Sequence, residues 1–548
     1  MQDTAFQQLS TSTTLLLLFG FYGLTFLMSL AIGRRNENVD GYMVSNGALG
    51  FGISAASMIA TWIWAASFYA SATAGYTYGL SGPIHYGLWG ALMILFIYPF
   101  GRRFRKLAPN AHTLAELLHA RHGTSSQMIL AVSNLVGSCI SLMVNFTAAG
   151  ALVAVLTPLD FGHGVLIAGV GVLSYTLWSG FRASVMTDFA QLLAMIGAAV
   201  VIIPVIFFSA GGIELASTGL ERLSGEQADL FSRQAILEQG LPFFIAVLAY
   251  AIGNQTIAQR LFAVREDLIK RTFVTATLGY GSVVIGLGML GLLAAMVGLQ
   301  PAGGDMNNII PQMASQYLTP LGIAAFFILV VGSLSSTADS DLSAISAIVM
   351  ADFYGRNFAR GKPNPRTMLL LGRLTMVAAT VIGILLAMLK LDILVMLVLV
   401  GALWGAIVFP VIVSCYWKRV TNAAFTWSVL AAVALFVAVR FDLLPLTGAT
   451  ALMLEAAAIV GAGVVAGLMT FGFSGRRPAL LVGLLTIVAV APLAFGALRE
   501  YQVLLASLTA YGVSAVVCTG LSLFNSKPFD FALIAERVNS YQGEAVAS

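Results

Sequence analysis

The chain has 548 residues, of which 59% are hydrophobic and only 9% are charged. With a mean hydropathy of +0.90, it has too few charges to clothe a water-soluble surface, so lipid is the expected solvent for most of its length. The net charge of +4 says little by itself; the placement of the basic residues says more.

A helix needs roughly 20 apolar residues to cross the hydrocarbon core. About fifteen stretches meet that need, near 13–33, 45–72, 80–100, 125–156, 161–179, 183–209, 241–262, 272–298, 320–354, 367–388, 392–416, 422–439, 450–473, 478–497 and 502–524. The first lacks a basic leader and ends in Arg34-Arg35 instead of a small-residue cleavage site, so it reads as a helix that stays. Threaded with the N-terminus outside, the inner loops collect every Lys and Arg, Arg260 and Arg360 included, except Arg222, Arg233, Lys390, Arg440, Arg499 and the intraspan Arg373. That is the asymmetry of the positive-inside rule, and it predicts a multi-pass protein of the inner (plasma) membrane with a cytoplasmic C-terminus. Cys139, Cys415 and Cys518 fall inside spans without metal spacing and read as small apolar residues.

The longest loop, 210–240, is expected outside as a pair of lid helices, and the tail 525–548 inside. No GxxxxGK[ST] occurs, which argues against ATP as the energy source.

Two spans look interrupted. The second carries Asn46-Gly-Ala-Leu-Gly-Phe-Gly, Ala60-Thr-Trp-Ile-Trp and a small polar run from Ser67; the seventh carries Ala251-Ile-Gly-Asn-Gln-Thr at membrane depth. Spans two to six (45–209) and seven to eleven (241–416) make two sets of five, and an odd number of crossings inverts the second set. A helix (1–44) precedes them and four peripheral helices (417–524) follow. Broken helices leading both halves are the pattern of an inverted-repeat secondary transporter. The alternative is that Gly and Asn merely aid helix packing.

Carboxylates at membrane depth are costly and mark sites by default. Asp188, Asp339 and Asp341 stand out. Ser333, Ser336, Thr337 and Ser340 share one helical face, bordered by Asp339. Hydroxyls with a carboxylate form a hard-oxygen shell suited to Na⁺; a Ser/Thr-rich span can also be packing glue. Glu455 reads as a lone packing or interfacial carboxylate. His112, Glu116 and His119 follow i, i+4, i+7 spacing, which would suit a metal, but the segment reads better as a solvated amphipathic inner helix.

The run Ser333–Asp352 resembles the sodium:solute symporter family, with its all-α, LeuT-type five-plus-five inverted repeat. The resemblance implies a Na⁺ site made by the carbonyls of Ala60 and Ile63 with Ser333, Ser336 and Thr337. It implies a second cation or proton site at Asp188, within Thr187-Asp-Phe-Ala-Gln, with Asp339 and Ser340; an aspartate at 339 replaces the more usual hydroxyl. Two such carboxylates within about 6 Å would share a cation or hold a proton. Asn254-Gln255 and Gln259-Arg260 match a further family signature. Thr61-Trp-Ile-Trp-Ala-Ala-Ser, Tyr78-Gly-Leu-Ser-Gly-Pro and Arg105-Lys-Leu-Ala-Pro-Asn-Ala-His-Thr are similar to the urea active transporter branch. That implies a cation-coupled symporter, Na⁺ its coupling ion and no other cofactor, importing urea or a related small nitrogenous solute by alternating access. A small amide, polyamine or carboxylate solute, H⁺ coupling, a solute sensor and a passive channel stay open. No nucleophile–base set suggests an enzyme. By resemblance the solute pocket draws on Trp64, Ser67, Tyr76, His85, Tyr86, Tyr250 and Trp404, although about half of such aromatic residues simply pack.

Overall fold

A computed structural model describes residues 7–33, 38–359, 362–524 and 527–538. Arg34, Arg35 and Arg360, part of the basic inner set, and the tail beyond 538 lie outside the described residues. The rest is nearly all helix; the sole bridge among the described residues joins Leu49 to Val264.

The first half comprises α1 (Thr11–Gly33), α2 (Val39–Val44), α3 (Phe51–Trp62), α4 (Ala65–Tyr78), α5 (Ser81–Leu95), α6 (Ile97–Leu107), α7 (Leu114–His122), α8 (Thr124–Leu156) and α9 (Phe161–Ser209). The second comprises α10 (Leu241–Gly253), α11 (Gln255–Ala263), α12 (Ile269–Met296), α13 (Pro320–Ala347), α14 (Pro365–Ala387) and α15 (Ile393–Tyr416). Then come α16 (Asn422–Arg440), α17 (Gly448–Ser474), α18 (Arg476–Ala494), α19 (Gln502–Leu523) and the short α20 (Ala532–Arg537). Among the described residues, thirteen helical segments are long and apolar enough to cross a membrane, and the pair α3–α4, bent by 49°, makes a fourteenth. The 24-residue α15 occupies the remaining predicted stretch.

Both predicted breaks are present. α3 stops at Trp62, and Ile63 and Trp64 run non-helically before α4 starts. α10 stops at Gly253; Asn254 is extended (φ −94°, ψ 115°) and caps α11 by accepting the Thr256 N–H at 2.8 Å. A capping amide at membrane depth offers the freed backbone a partner, which makes such a break tolerable in lipid. The two spans predicted at 161–179 and 183–209 are both present, as Phe161–Trp178 and Gly180–Ser209, and they meet at a kink where Gly180 takes a positive φ (54°) that glycine adopts without a Cβ penalty.

The segment 210–240, expected outside, holds three short helices, Gly212–Leu220, Gly225–Ala228 and Arg233–Ala235. Gln227 ties it to the end of α4, donating to the carbonyls of Tyr76 (3.0 Å) and Thr77 (3.3 Å). A Cβ at Gly79 (φ 66°) would lie 1.9 Å from the Gln227 carbonyl oxygen, so only glycine lets the loop seat there.

Residues of α3, α4, α8, α10 and α13 are mostly buried, while α18 presents Leu480, Leu484 and Val488 outward as a lipid-facing surface does. Helices approach closely where glycines meet: a Cβ at Gly461 would lie 1.9 Å from the Leu508 carbonyl, and one at Gly512 1.9 Å from that of Ala457, locking α17 to α19. Glu455 is not alone. It is fully buried and receives two N–H bonds from Arg499, at 2.9 and 3.2 Å.

Candidate functional site

The hydroxyl face of α13 lies against the break between α3 and α4. Ser333 Oγ donates to the Ile63 carbonyl at 2.5 Å and Thr337 Oγ1 to the Thr61 carbonyl at 2.7 Å. Thr61 belongs to the last turn of α3 and Ile63 is the residue that caps it, where the helix ends and leaves backbone oxygens without intrahelical donors. Ala60 is fully buried one residue before Thr61. Ser336 turns aside and donates to Asp188 Oδ1 at 2.5 Å. Of the expected set, Ser333 meets the Ile63 carbonyl and Thr337 that of Thr61, the neighbour of Ala60, while Ser336 bonds to the carboxylate of α9 instead.

The neighbouring cluster differs from the sequence expectation in one respect. Arg260, assigned there to an inner loop, is 4% exposed on α11 and reaches into the protein. Its guanidinium donates to Asp188 Oδ2 (3.0 Å), Ser340 Oγ (2.7 Å), Thr61 Oγ1 (2.5 Å) and Ser57 Oγ (3.0 Å), with the Phe181 ring 5.5 Å away. A buried charge is tolerable only when paired and hydrogen-bonded, and here nearly every guanidinium edge is used. Asp339 accepts from Tyr175 (2.7 Å) and Ser184 (2.5 Å), with Ser340 3.2 Å away. Arg260 and Ser340 therefore join the two aspartates.

A cavity beside the break is lined by Trp62, Trp64, Tyr250, Asn254, Asp341 and Trp404, and reaches Thr61 and Thr337 of the pairing above. Tyr250 and Trp404 meet edge to face at 5.0 Å, and Trp62 tilts against Trp64 and Tyr250 at 6.5 and 6.1 Å. Tyr250 is fixed by donating to the Leu397 carbonyl at 2.8 Å. A smaller adjoining cavity adds Tyr86 and Tyr280. Of the seven aromatic and polar candidates, Trp64, Tyr250 and Trp404 line the first cavity and Tyr86 the second. The other three lie elsewhere. Ser67 donates to the Trp62 carbonyl, Tyr76 to that of Leu299, and His85 accepts from Trp89. Trp62 carried no signal apart from its neighbour Trp64, whereas Asn254 was marked by the break it caps.

α7 is buried and not solvated. His112, 2% exposed, lies 2.8 Å from Asp40 of α2 and 3.0 Å from Glu116, which also meets Arg356 at 3.2 Å. Burial alone would strip the proton from His112, but Glu116 and Asp40 hold it, pushing the pKa up to about 9. Burial also opposes the charge on Glu116, yet His112 and Arg356 draw its pKa down to about 2. Gln255 Nε2 donates to the His112 carbonyl at 3.0 Å, so this network touches the second broken helix. His119 is not part of it. Among the described residues, no group of three or more His, Cys, Asp or Glu is arranged to hold a metal ion.

An all-helical membrane protein with broken helices leading two inverted sets of five spans, and hydroxyls facing the first break, is built as a secondary transporter. The chain belongs to the sodium:solute symporter family, whose sequence model matches residues 42–431. It is 25% identical to the sodium/pantothenate symporter of Escherichia coli over 69% of this chain and 80% of that one. It is 26% identical to the osmoregulated proline transporter OpuE of Bacillus subtilis, over 75% and 85%. It is 21% identical to the probable urea active transporter 1 of Schizosaccharomyces pombe, over 65% of this chain and 58% of that relative's length. A Na⁺-coupled sialic acid symporter, solved in a substrate-bound outward-open state, superposes with a TM-score of 0.68 at 19% identity, covering 87% of this chain and 98% of that one. That likeness speaks for the fold.

Proposed function

We propose that the protein is a Na⁺-coupled symporter that imports a small polar, nitrogen-rich solute of the urea kind by alternating access. The observation that carries this is the pairing of Ser333 and Thr337 with the Ile63 and Thr61 carbonyls across the break. The same oxygens, with lone pairs turned inward, form a hard shell for Na⁺. Ion binding there would clamp α13 to the broken span and favour the solute-binding state by its differential affinity for that state. The solute is assigned to the cavity bounded by Trp64, Tyr250 and Trp404.

The second cation position is read differently from the first. Arg260 supplies a fixed positive charge to Asp188. Two carboxylates against one guanidinium leave an excess of one negative charge, which a proton or a second cation on Asp339 would neutralise.

Uptake of labelled solute into proteoliposomes, with an inward Na⁺ gradient and after its collapse, is the direct test. Accumulation is expected only with the gradient, and Thr337→Ala is expected to raise the half-saturating Na⁺ concentration at least tenfold at unchanged yield. Gradient-independent flux would instead mark a passive channel.

A further inference from the structure

The central cavity holds a single charged side chain, and it is acidic. Asp341 lies two residues beyond Asp339 on α13, about 200° around the helix, so it is turned toward α8 and away from Asp339, one turn from Thr337 on the same lining. It is 2% exposed; the Ser141 hydroxyl of α8 donates to Oδ2, and Ser138 lies beside it in the lining. No Lys, Arg or His is among the residues lining the cavity.

Two donors stand on the same lining. The indole N–H of Trp62 is buried without an acceptor. Asn254, half-buried, spends its side-chain oxygen on Thr256, whose N–H and Oγ1 lie at 2.8 and 2.7 Å, and its own amide N–H groups have no acceptor among the described residues. A buried polar atom without a partner is costly, so such atoms in a cavity wall mark what an occupant must supply. Here the occupant must offer N–H groups to Asp341 and tolerate aromatic walls. It must not bring a second negative charge, because two like charges in a low-dielectric cavity repel strongly.

Resting on the symporter reading above, we infer that Asp341 is the specificity-determining residue of the solute cavity. It accepts two N–H groups from an N–C–N edge, and the site takes small carboxylate-free solutes carrying that edge while rejecting carboxylates. Ureas and guanidinium ions share this planar edge, which matches the two oxygens of a carboxylate. A urea would also give its carbonyl to Trp62 or Asn254, and a guanidinium would stack its charge against the aromatic walls. Carboxylate-bearing solutes would meet Asp341 with like charge.

The test is equilibrium binding to the purified full chain at saturating Na⁺, with urea, guanidinium, acetate and proline as the probes. Urea or guanidinium is expected to bind saturably, with acetate and proline showing no competition; whichever of the two binds more tightly tells whether the occupant is neutral or cationic. Asp341→Asn is expected to weaken that binding at least tenfold while the half-saturating Na⁺ changes less than twofold. Should that variant fail to fold, Ser141→Ala, which only frees the carboxylate from its hydroxyl partner, is expected to change affinity for the same probe at least threefold. Proline or acetate competing as well as urea, or unchanged affinity in Asp341→Asn, would overturn the assignment. A shift in Na⁺ dependence without a shift in solute affinity would also overturn it, making Asp341 an ion ligand. If the protein accumulates a carboxylate in proteoliposomes, the symporter reading stands and this inference fails; if it binds urea yet accumulates nothing, the reverse holds.

Discussion

Arg260 and Asp188 show why a residue cannot be placed by its charge alone. The positive-inside reading counted Arg260 with the inner basic residues, at the end of the predicted stretch 241–262. It could not reveal that the break at Asn254 turns those residues back into the protein, where partners 72 and 80 positions away wait. Removing one member of a buried pair strands the other, at a cost of about 3–5 kcal/mol. Arg260→Ala should therefore lower the melting temperature clearly, and the double variant Arg260→Ala/Asp188→Ala should recover much of the loss. Thermal denaturation in detergent checks this; a double variant as unstable as the sum of its parents would mean that the two charges do not depend on each other.

At the scale of elements, the spans were legible because apolar length is nearly all that a bilayer asks of a helix. The breaks were legible too, since Gly253-Asn254 and the Trp-Ile-Trp run interrupt otherwise apolar stretches. The state of α7 was not, because an amphipathic helix has the same sequence whether its polar face meets water or other buried polar groups. Its docking should depend on pH. The His112 pKa of about 9 exceeds its unfolded value of about 6.5, so that contribution is full below about pH 6.5 and is lost as pH rises through about 9. Glu116 has the opposite sign, with its contribution present above about pH 4.5 and lost as pH falls through about 2. His112→Gln should flatten the decline in thermal stability between pH 6.5 and 9; melting curves that keep the wild-type slope would remove His112 from the network.

Across the whole molecule, the cavity was the least legible feature. Trp62, Asn254, Asp341 and Trp404 come from four separate stretches of chain, and only the packed fold turns them toward one space. Residues 527–538 are joined to the rest over similar stretches of sequence. Arg537 of α20 donates to the Ala120 carbonyl at 3.1 Å and accepts from Arg356 at 3.1 Å, while Arg121 lies 4.1 Å from the centre of the Phe529 ring. Residues 527–538 thus strap α7 to the end of the long span that carries the hydroxyl face. Deleting everything after residue 526 should leave the protein in the membrane but lower its melting temperature by several degrees and speed protease cleavage around α7. Unchanged cleavage there would show the strap to be dispensable.

The burial of Arg260 also has an electrical side. A formal charge on α11, held by partners on α3, α9 and α13, sits within the field that falls across the bilayer. Moving one elementary charge through the full potential is worth about 2.3 kcal/mol per 100 mV. If the two broken helices shift relative to the others during transport, part of that charge shifts with them, whether or not an ion is bound. Membrane voltage would then bias the conformational equilibrium through the protein's own guanidinium, and a step in voltage would draw a transient current even in Na⁺-free solution.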